Sequence, residues 1–226
     1  MIREDIARIL SIARTTDLRT PVPSCPGWDL SELVAHVGRA CRYHALHVVR
    51  GVTTKPTVVP EAPTAGVVDW MEESASMLLA ALRDTPPDAP AYTWAVDVPE
   101  TAAFWTRRMT LESAIHRWDA EYAIGAVTGF DHDLAVDGVD EVLTVHRPVD
   151  LLREPWPVAG VVEVRLTDAP QSWRYAVDGS SWAPTQKTPD GSVEGTASRV
   201  FLALWGREPL PSLVGDDALV AAVRTG

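Results

Sequence analysis

The chain has 226 residues, and its 20 Lys+Arg against 31 Asp+Glu give a formal net charge of −11 at pH 7. Because nucleic acids and anionic membrane surfaces are bound by clustered Lys and Arg, this balance argues against both as the main partner. No apolar stretch approaches the roughly 20 residues that a membrane-spanning helix needs. The N-terminal segment lacks the apolar core of a signal peptide, and two cysteines are too few for a disulfide framework. We therefore expect a cytoplasmic, reduced protein.

The first half of the chain predicts four helices. Apolar residues recur at helical spacing in the first, second and fourth of them, and the segments between the helices concentrate proline and glycine. The predicted helices span residues 2–17, about 29–50, 67–83 and about 101–127. A long surface loop is expected over 51–66. Four helices joined by turn-rich loops are typical of a four-helix bundle.

The second half changes its apolar period. One more helix is predicted from Leu134 to about Arg147, where Pro148 should stop it. Strands are expected over 161–168, 172–178, 181–184 and 192–195, and helices over 197–205 and 216–224. Strands that follow a block of helices favour a separate α+β unit. We predict an α+β protein with a four-helix-bundle domain over 1–130 and a small C-terminal α+β domain over 131–226.

The fourth predicted helix carries a carboxylate and an imidazole on one face. Glu112 and His116 are four residues apart, so their side chains lie one turn apart. The same face holds Trp105, Met109 and Ala123, which indicates that it points inward. A solvent-exposed Glu–His pair is the alternative. Polar groups on an inward face need partners, and a divalent metal would satisfy both side chains at once.

A third ligand is expected from the second helix. His36 lies at one edge of its apolar stripe, and His44 and His47 on the same helix are alternatives. Two histidines and one glutamate are the ligand set of open catalytic zinc sites, although other first-row metals accept the same ligands. Asp119, one turn beyond His116, is a candidate acceptor for an imidazole N–H.

Two segments carry a resemblance to a known family. VPSCPGWDLSELVAHVGRA (22–40) contains the pattern P-x-W-x₇-H, and RRMTLESAIHRWDAEYAIG (107–125) contains E-x-x-x-H-R-x-D. Together they resemble the mycothiol-dependent maleylpyruvate isomerase family. The run GTASRVFLALWGREP (195–209) is similar to the second domain of that family, so the resemblance extends over nearly the whole chain.

The resemblance implies a DinB-like, metal-binding four-helix bundle followed by a C-terminal α+β domain. It also implies a zinc ion held by His36, Glu112 and His116. Many relatives carry a histidine directly before the glutamate, where this chain has Leu111. By helix angle Leu111 lies about 100° off the ligand face, so the ligand set is expected to remain and the difference to bear on the substrate.

Arg207 is the candidate for substrate binding. The Gly-Arg of LWGREP matches a family position that can face the metal cleft, and a planar guanidinium suits a substrate carboxylate. A surface arginine is the alternative, and Arg199 is a second candidate. Cys25 is expected to be structural, because nothing beside it in the sequence would obviously activate a thiol.

The resemblance implies an enzyme that uses a metal and a low-molecular-weight thiol such as mycothiol. A thiolate that adds to an electrophilic double bond and is later eliminated catalyses cis–trans isomerisation, whereas a thiol that stays attached makes the protein a transferase. The substrate is expected to be small, electrophilic and anionic. The alternatives are a thiol-independent metalloenzyme using metal-bound hydroxide and a non-catalytic bundle that binds a metal or small molecule. A saturated four-ligand shell would favour a structural metal, and an open position an enzyme.

Overall fold

The computed structural model describes residues 1–57 and 61–225, and the chain divides into two compact units. The first unit contains Met1–Trp94 and Val98–Thr128. The second contains Ala95–Asp97 and the chain from Gly129 onward. The predicted domain boundary after residue 130 stays a prediction. Part of the predicted loop over 51–66, residues 58–60, lies outside the described residues.

Helices build the first unit. They are α1 (Ile2–Thr15), α2 (Leu30–Val49), α3 (Val67–Asp84) and α4 (Ala102–Ala123). Their apolar stripes meet in one buried core, to which Ile9, Leu33, Leu78 and Trp105 each contribute from a different helix. The predicted helices are confirmed, but α4 ends before residue 127. Gly125 adopts a φ of 67°, the left-handed conformation that ends many helices.

The start of α2 is fixed by a capping box. The Asp29 side chain accepts from the Glu32 amide at 3.0 Å, and the Glu32 side chain accepts from the Asp29 amide at 2.9 Å. Two turns later, α2 approaches α3 closely at Gly38, where an added Cβ would lie 2.7 Å from Trp70 Cε3. The cap therefore sets where α2 begins, and the missing side chain at Gly38 lets α2 pack closely against α3.

The second unit combines helices with a five-stranded mixed sheet. In chain order it contains α5 (His132–Glu141), a π-helical turn (Val142–His146), α6 (Arg147–Arg153), β1 (Trp156–Leu166), β2 (Ser172–Gly179), β3 (Ser181–Pro184), β4 (Gly191–Gly195), α7 (Ala197–Leu204), β5 (Leu213–Gly215) and α8 (Asp217–Ala221). The strand order is β3-β2-β1-β4-β5. β1 and β4 run parallel, and the other neighbouring strands are antiparallel. The predicted α+β class is confirmed.

The prediction that Pro148 stops a helix is wrong. The chain remains helical to Arg153, because a π-helical turn precedes the proline and the Arg147 amide bonds to the carbonyl of Val142, five residues back. Pro148 then stands in the first turn of α6, where an amide proton is not needed. None of the described helices is both long and apolar enough to cross a bilayer.

Candidate metal centre

α2 and α4 bring three metal-ligating side chains together. One donor atom each of His36, Glu112 and His116 lies within 4.8 Å of the other two. Glu112 Oε1 is 2.9 Å from His36 Nε2 and 3.3 Å from His116 Nε2. Ligand atoms around a tetrahedral zinc with bonds of about 2.0–2.1 Å are separated by roughly 3.3 Å, so the spacing suits such an ion.

Burial is uneven around these three side chains. The exposed fraction is 7% for His116, 13% for Glu112 and 34% for His36. The Trp28 ring lies beside both imidazoles, with centroids 4.9 Å from His36 and 6.2 Å from His116. The cluster is therefore closed on the His116 side and accessible on the His36 side, and three donors leave a coordination position for a further ligand.

Asp119 orients the His116 ring. His116 Nδ1 lies 2.9 Å from Asp119 Oδ2, and the Cys25 thiol donates to the same oxygen at 3.4 Å. Because a carboxylate only accepts, His116 carries its proton on Nδ1 and turns Nε2 toward Glu112. Asp119 thus accepts from His116 as the sequence predicted, and Cys25 lies against the same carboxylate.

Arg108 holds the other oxygen of the Glu112 carboxylate. Its Nη2 donates to Glu112 Oε2 at 2.5 Å, and the residue is buried. Burial would raise the pKa of Glu112, but Arg108 and His116 hold it well below the usual range. Sequence reasoning missed Arg108, although its spacing of four from Glu112 was a signal. The arginine keeps the carboxylate ionised and leaves Oε1 facing the histidines.

The cluster is electrostatically suited to a cation. Burial would lower the pKa of His116, but Glu112 and Asp119 hold it well above the usual range. Without a metal, His116 therefore keeps its second proton, and this positive charge occupies the position that suits a cation. Binding of a metal releases such a proton, so the donor set fits a divalent ion chemically as well as sterically.

A second group of donors shares His116. Cys25, His116 and Asp119 also offer atoms within 4.8 Å of one another, and all three residues are buried. A metal there would compete for the Nδ1 hydrogen bond that Asp119 accepts. The His36 group leaves that bond intact, and only it has an accessible side.

His44 and His47 lie elsewhere in the core of the first unit. Both rings pack against Trp105 with centroids 4.4 Å apart, His44 stacked on the indole and His47 tilted to it by 52°. His44 Nδ1 faces the Met109 sulfur, and His47 Nδ1 donates to the Tyr43 carbonyl at 2.6 Å. Neither belongs to a donor group among the described residues.

The two candidate arginines belong to the second unit. Arg207 Nη1 donates to the backbone carbonyl of Trp205 at 2.8 Å. Arg199 is exposed, with Nε 3.6 Å from Glu208 Oε2. The predicted role of Arg207 in substrate binding stays a prediction.

The fold and the donor group define a class, a helical bundle with a candidate metal centre between two helices and an α+β unit following it. Residues 1–121, more than half of the chain, match the family model described as the mycothiol maleylpyruvate isomerase N-terminal domain. The chain therefore belongs to this family, which confirms the family and the class of enzyme that the motifs indicated. No curated protein sequence matches the chain.

Solved structures agree with the fold. The crystal structure of a point mutant of the mycothiol-dependent maleylpyruvate isomerase is 18% identical, with a TM-score of 0.63, over 92% of this chain and 87% of that chain. A crystal structure of the mycothiol-dependent maleylpyruvate isomerase is 16% identical, with a TM-score of 0.61, over 94% of this chain and 89% of that one. At such identities the likeness is one of fold.

Proposed function

We propose that the protein is a metal-dependent isomerase that uses a low-molecular-weight thiol such as mycothiol. His36, Glu112 and His116 hold zinc or another divalent ion. The observation that carries the proposal is the convergence of these three donors, with one accessible side, in a chain of this family. The accessible side favours an enzyme over a structural metal, whose ligand shell is closed.

A divalent metal bound at these ligands would supply the positive charge that deprotonates a thiol. The chain's own residues prepare that position. Asp119 holds the proton on His116 Nδ1, and Arg108 holds the Glu112 carboxylate ionised. Trp28 covers one side of both imidazoles and limits the access of water to them.

The proposed reaction is cis–trans isomerisation of a small anionic alkene such as maleylpyruvate. The thiol sulfur adds to one carbon of the double bond, the remaining single bond rotates, and the C–S bond breaks again. The thiol is returned unchanged, so no oxidant or reductant is consumed. Arg207 is proposed to bind a carboxylate of the substrate, because its planar guanidinium can form two parallel hydrogen bonds with this group. If the thiol remains on the product, the protein is a thiol transferase that uses the same residues.

A metal measurement tests the proposed ligands. Full-length protein purified without added metal should contain about one divalent ion per chain by elemental analysis. His36→Ala, Glu112→Ala and His116→Ala should each lose most of it, since a three-ligand site has no spare donor. His132→Ala is the matched control, because this histidine is exposed and belongs to the second unit.

Several outcomes would contradict the assignment. Full metal content in all three variants would show that the ligands lie elsewhere. Metal that survives His36→Ala but is lost in a Cys25→Ser variant would favour the buried Cys25 group and a structural ion. Metal binding without thiol-dependent isomerisation would favour the hydroxide mechanism or a non-catalytic bundle.

A further inference from the structure

A cavity of about 560 Å³ in the second unit is rich in arginine. Its lining residues are Arg147, Asp150, Arg153, Glu154, Trp156, Ala221 and Arg224. The volume lies in the range of small-molecule sites. Its charged side chains have one positive charge in excess, on a chain whose net charge is −11. None of the proposed metal ligands contributes to it.

Arg147 is buried in the cavity wall with few partners. Its side chain is 6% exposed, and its closest acceptor is Asp150 Oδ2, 3.5 Å from Nη1. That oxygen already accepts from the Thr225 hydroxyl at 2.5 Å. The buried Nε of Arg147 has no hydrogen-bond partner among the described residues. A guanidinium has five N–H donors, and burying a cation with so many of them unmet is unfavourable.

Two further arginines lie at the same cavity. Arg153 is exposed, and its side chain forms no hydrogen bond or ion pair with the described part of the chain. Arg224 donates to the carbonyls of Ala203 at 3.2 Å and Glu208 at 2.9 Å, which position it without neutralising its charge. Trp156 also lines the cavity, and its ring is held by a 3.1 Å hydrogen bond from its Nε1 to the carbonyl of Ala218.

The backbone at this cavity is also irregular. The π-helical turn Val142–His146 ends at Arg147, whose amide bonds to a carbonyl five residues back. Such a turn inserts one residue into the helix and changes the direction in which the following side chains point. Turns of this kind occur frequently at functional sites.

We propose that this cavity binds a small organic anion through a carboxylate or phosphate group. Arg147 and Arg153 contact the anion, Arg224 contributes positive charge, and Trp156 packs against the rest of the ligand. An oxyanion would satisfy the donors that Arg147 lacks, because a guanidinium matches both groups with two parallel hydrogen bonds. The site is separate from the metal ligands and does not rest on the proposed isomerase function.

Calorimetric titration of the full-length protein with inorganic phosphate and with malonate tests the proposal. At low ionic strength at least one of the two should bind with a stoichiometry of one and shift the indole N–H resonance of Trp156. Arg153→Gln should weaken binding about tenfold, which corresponds to one charge-assisted hydrogen bond. Arg147→Lys keeps the positive charge but removes the two parallel N–H donors of the guanidinium, so it should also weaken binding. Arg165→Gln is the control, since Arg165 is an exposed arginine paired with Glu194.

A His116→Ala variant completes the experiment, because a bound metal could itself attract these anions. Binding that is retained in this variant supports the arginine cavity, and its loss would assign the anion to the metal centre. Arg153 is exposed, so Arg153→Gln remains informative if Arg147→Lys fails to fold. The absence of binding by wild-type protein at millimolar concentration would overturn the proposal. Equal binding by wild type and Arg153→Gln would overturn it as well.

Discussion

Asp119 orients the imidazole of His116 through Nδ1, and its replacement by Asn tests this role. Asn removes the charge that keeps the proton on Nδ1 while keeping the size of the side chain. We expect Asp119→Asn to weaken metal binding by about 10–100-fold, the usual effect of losing such a partner. Competition with a chromophoric chelator measures the affinity. Asp133→Asn, at a fully exposed side chain, is the control.

A Cys25→Ser variant separates orientation from ligation. Cys25 and His116 both bond to the Asp119 carboxylate. If Asp119 only orients His116, Cys25→Ser should leave the metal affinity nearly unchanged. A loss as large as that of Asp119→Asn would instead indicate that the buried Cys25 group ligates the metal.

His44 gives the protein a pH-dependent stability. Burial lowers the pKa of His44 to about 3, whereas an unfolded histidine titrates near 6.5. Between these values the unfolded chain binds a proton that the folded chain does not, so stability falls as the pH falls from 7 to 4. This linkage is worth about 3 kcal/mol at pH 4.

We therefore expect His44→Leu to flatten the dependence of unfolding free energy on pH, measured by urea denaturation of the metal-free protein at pH 7 and pH 4. His132→Leu is the control with the opposite sign, because a hydrogen bond with Asp133 raises the pKa of His132. An unchanged pH dependence in His44→Leu would show that His44 becomes protonated without cost in the folded state.

At the residue scale, helical spacing and motif together selected the three side chains that converge. They could not select Arg108, because an arginine four residues before a glutamate is also typical of an exposed helix surface. Only packing shows that Arg108 is buried beside Glu112. The same holds for Arg117, whose Nε donates to Asp5 at 2.8 Å, since the partner lies on α1.

At the element scale, the contact between α2 and α3 depends on Gly38. A Gly→Ala change inside a helix normally stabilises it by up to about 1 kcal/mol. Here the added Cβ would lie 2.7 Å from Trp70 Cε3 and 3.3 Å from Met71 Cα, so either the Trp70 ring must shift or the two helices must separate. We expect Gly38→Ala to destabilise the protein by about 1–3 kcal/mol in urea denaturation.

Two comparisons make this result specific. Gly129→Ala should have little effect, because no atom of the described residues beyond its chain neighbours lies within 4 Å of the added Cβ. Combining Gly38→Ala with Trp70→Leu should recover part of the loss relative to Trp70→Leu alone. A stabilising Gly38→Ala would mean that the Trp70 ring moves aside freely and that the close approach is not required.

The long elements were predictable because many residues repeat one pattern. Apolar residues recur at helical spacing in the helices of the first unit and favour strands in the second. The π-helical turn was not predictable, because a proline such as Pro148 normally ends a helix. Only the hydrogen bonds of the π-helical turn before it allow the chain to stay helical. β5 has three residues, all exposed, and therefore no alternation to detect. β1 begins at Trp156 through an irregular register that no sequence period encodes.

At the scale of the whole molecule, composition argued against nucleic acid and anionic membranes as main partners, and the family motifs indicated the class of enzyme. The chain is acidic overall, yet the proposed substrate is an anion. Its charge must therefore be met by individual cations and not by the average surface. Arg207 is the candidate that the second unit offers for this role, and its Nη1 donates to the backbone carbonyl of Trp205 at 2.8 Å.

Replacing Arg207 tests whether the second unit supplies that charge. We expect Arg207→Ala to leave the metal content unchanged, since all proposed ligands belong to the first unit. It should weaken transition-state binding of the anionic substrate by about 2–5 kcal/mol, the effect of removing one partner of a buried charge pair. Steady-state kinetics and metal analysis on the same sample separate a loss of substrate binding from a loss of metal. Arg199→Ala is measured beside it, because Arg199 is the second candidate and is 61% exposed on the same unit. A defect in Arg199→Ala without one in Arg207→Ala would transfer the role to Arg199. If neither variant is impaired, substrate charge is met within the first unit, where Arg108 already stands beside the proposed metal ligands.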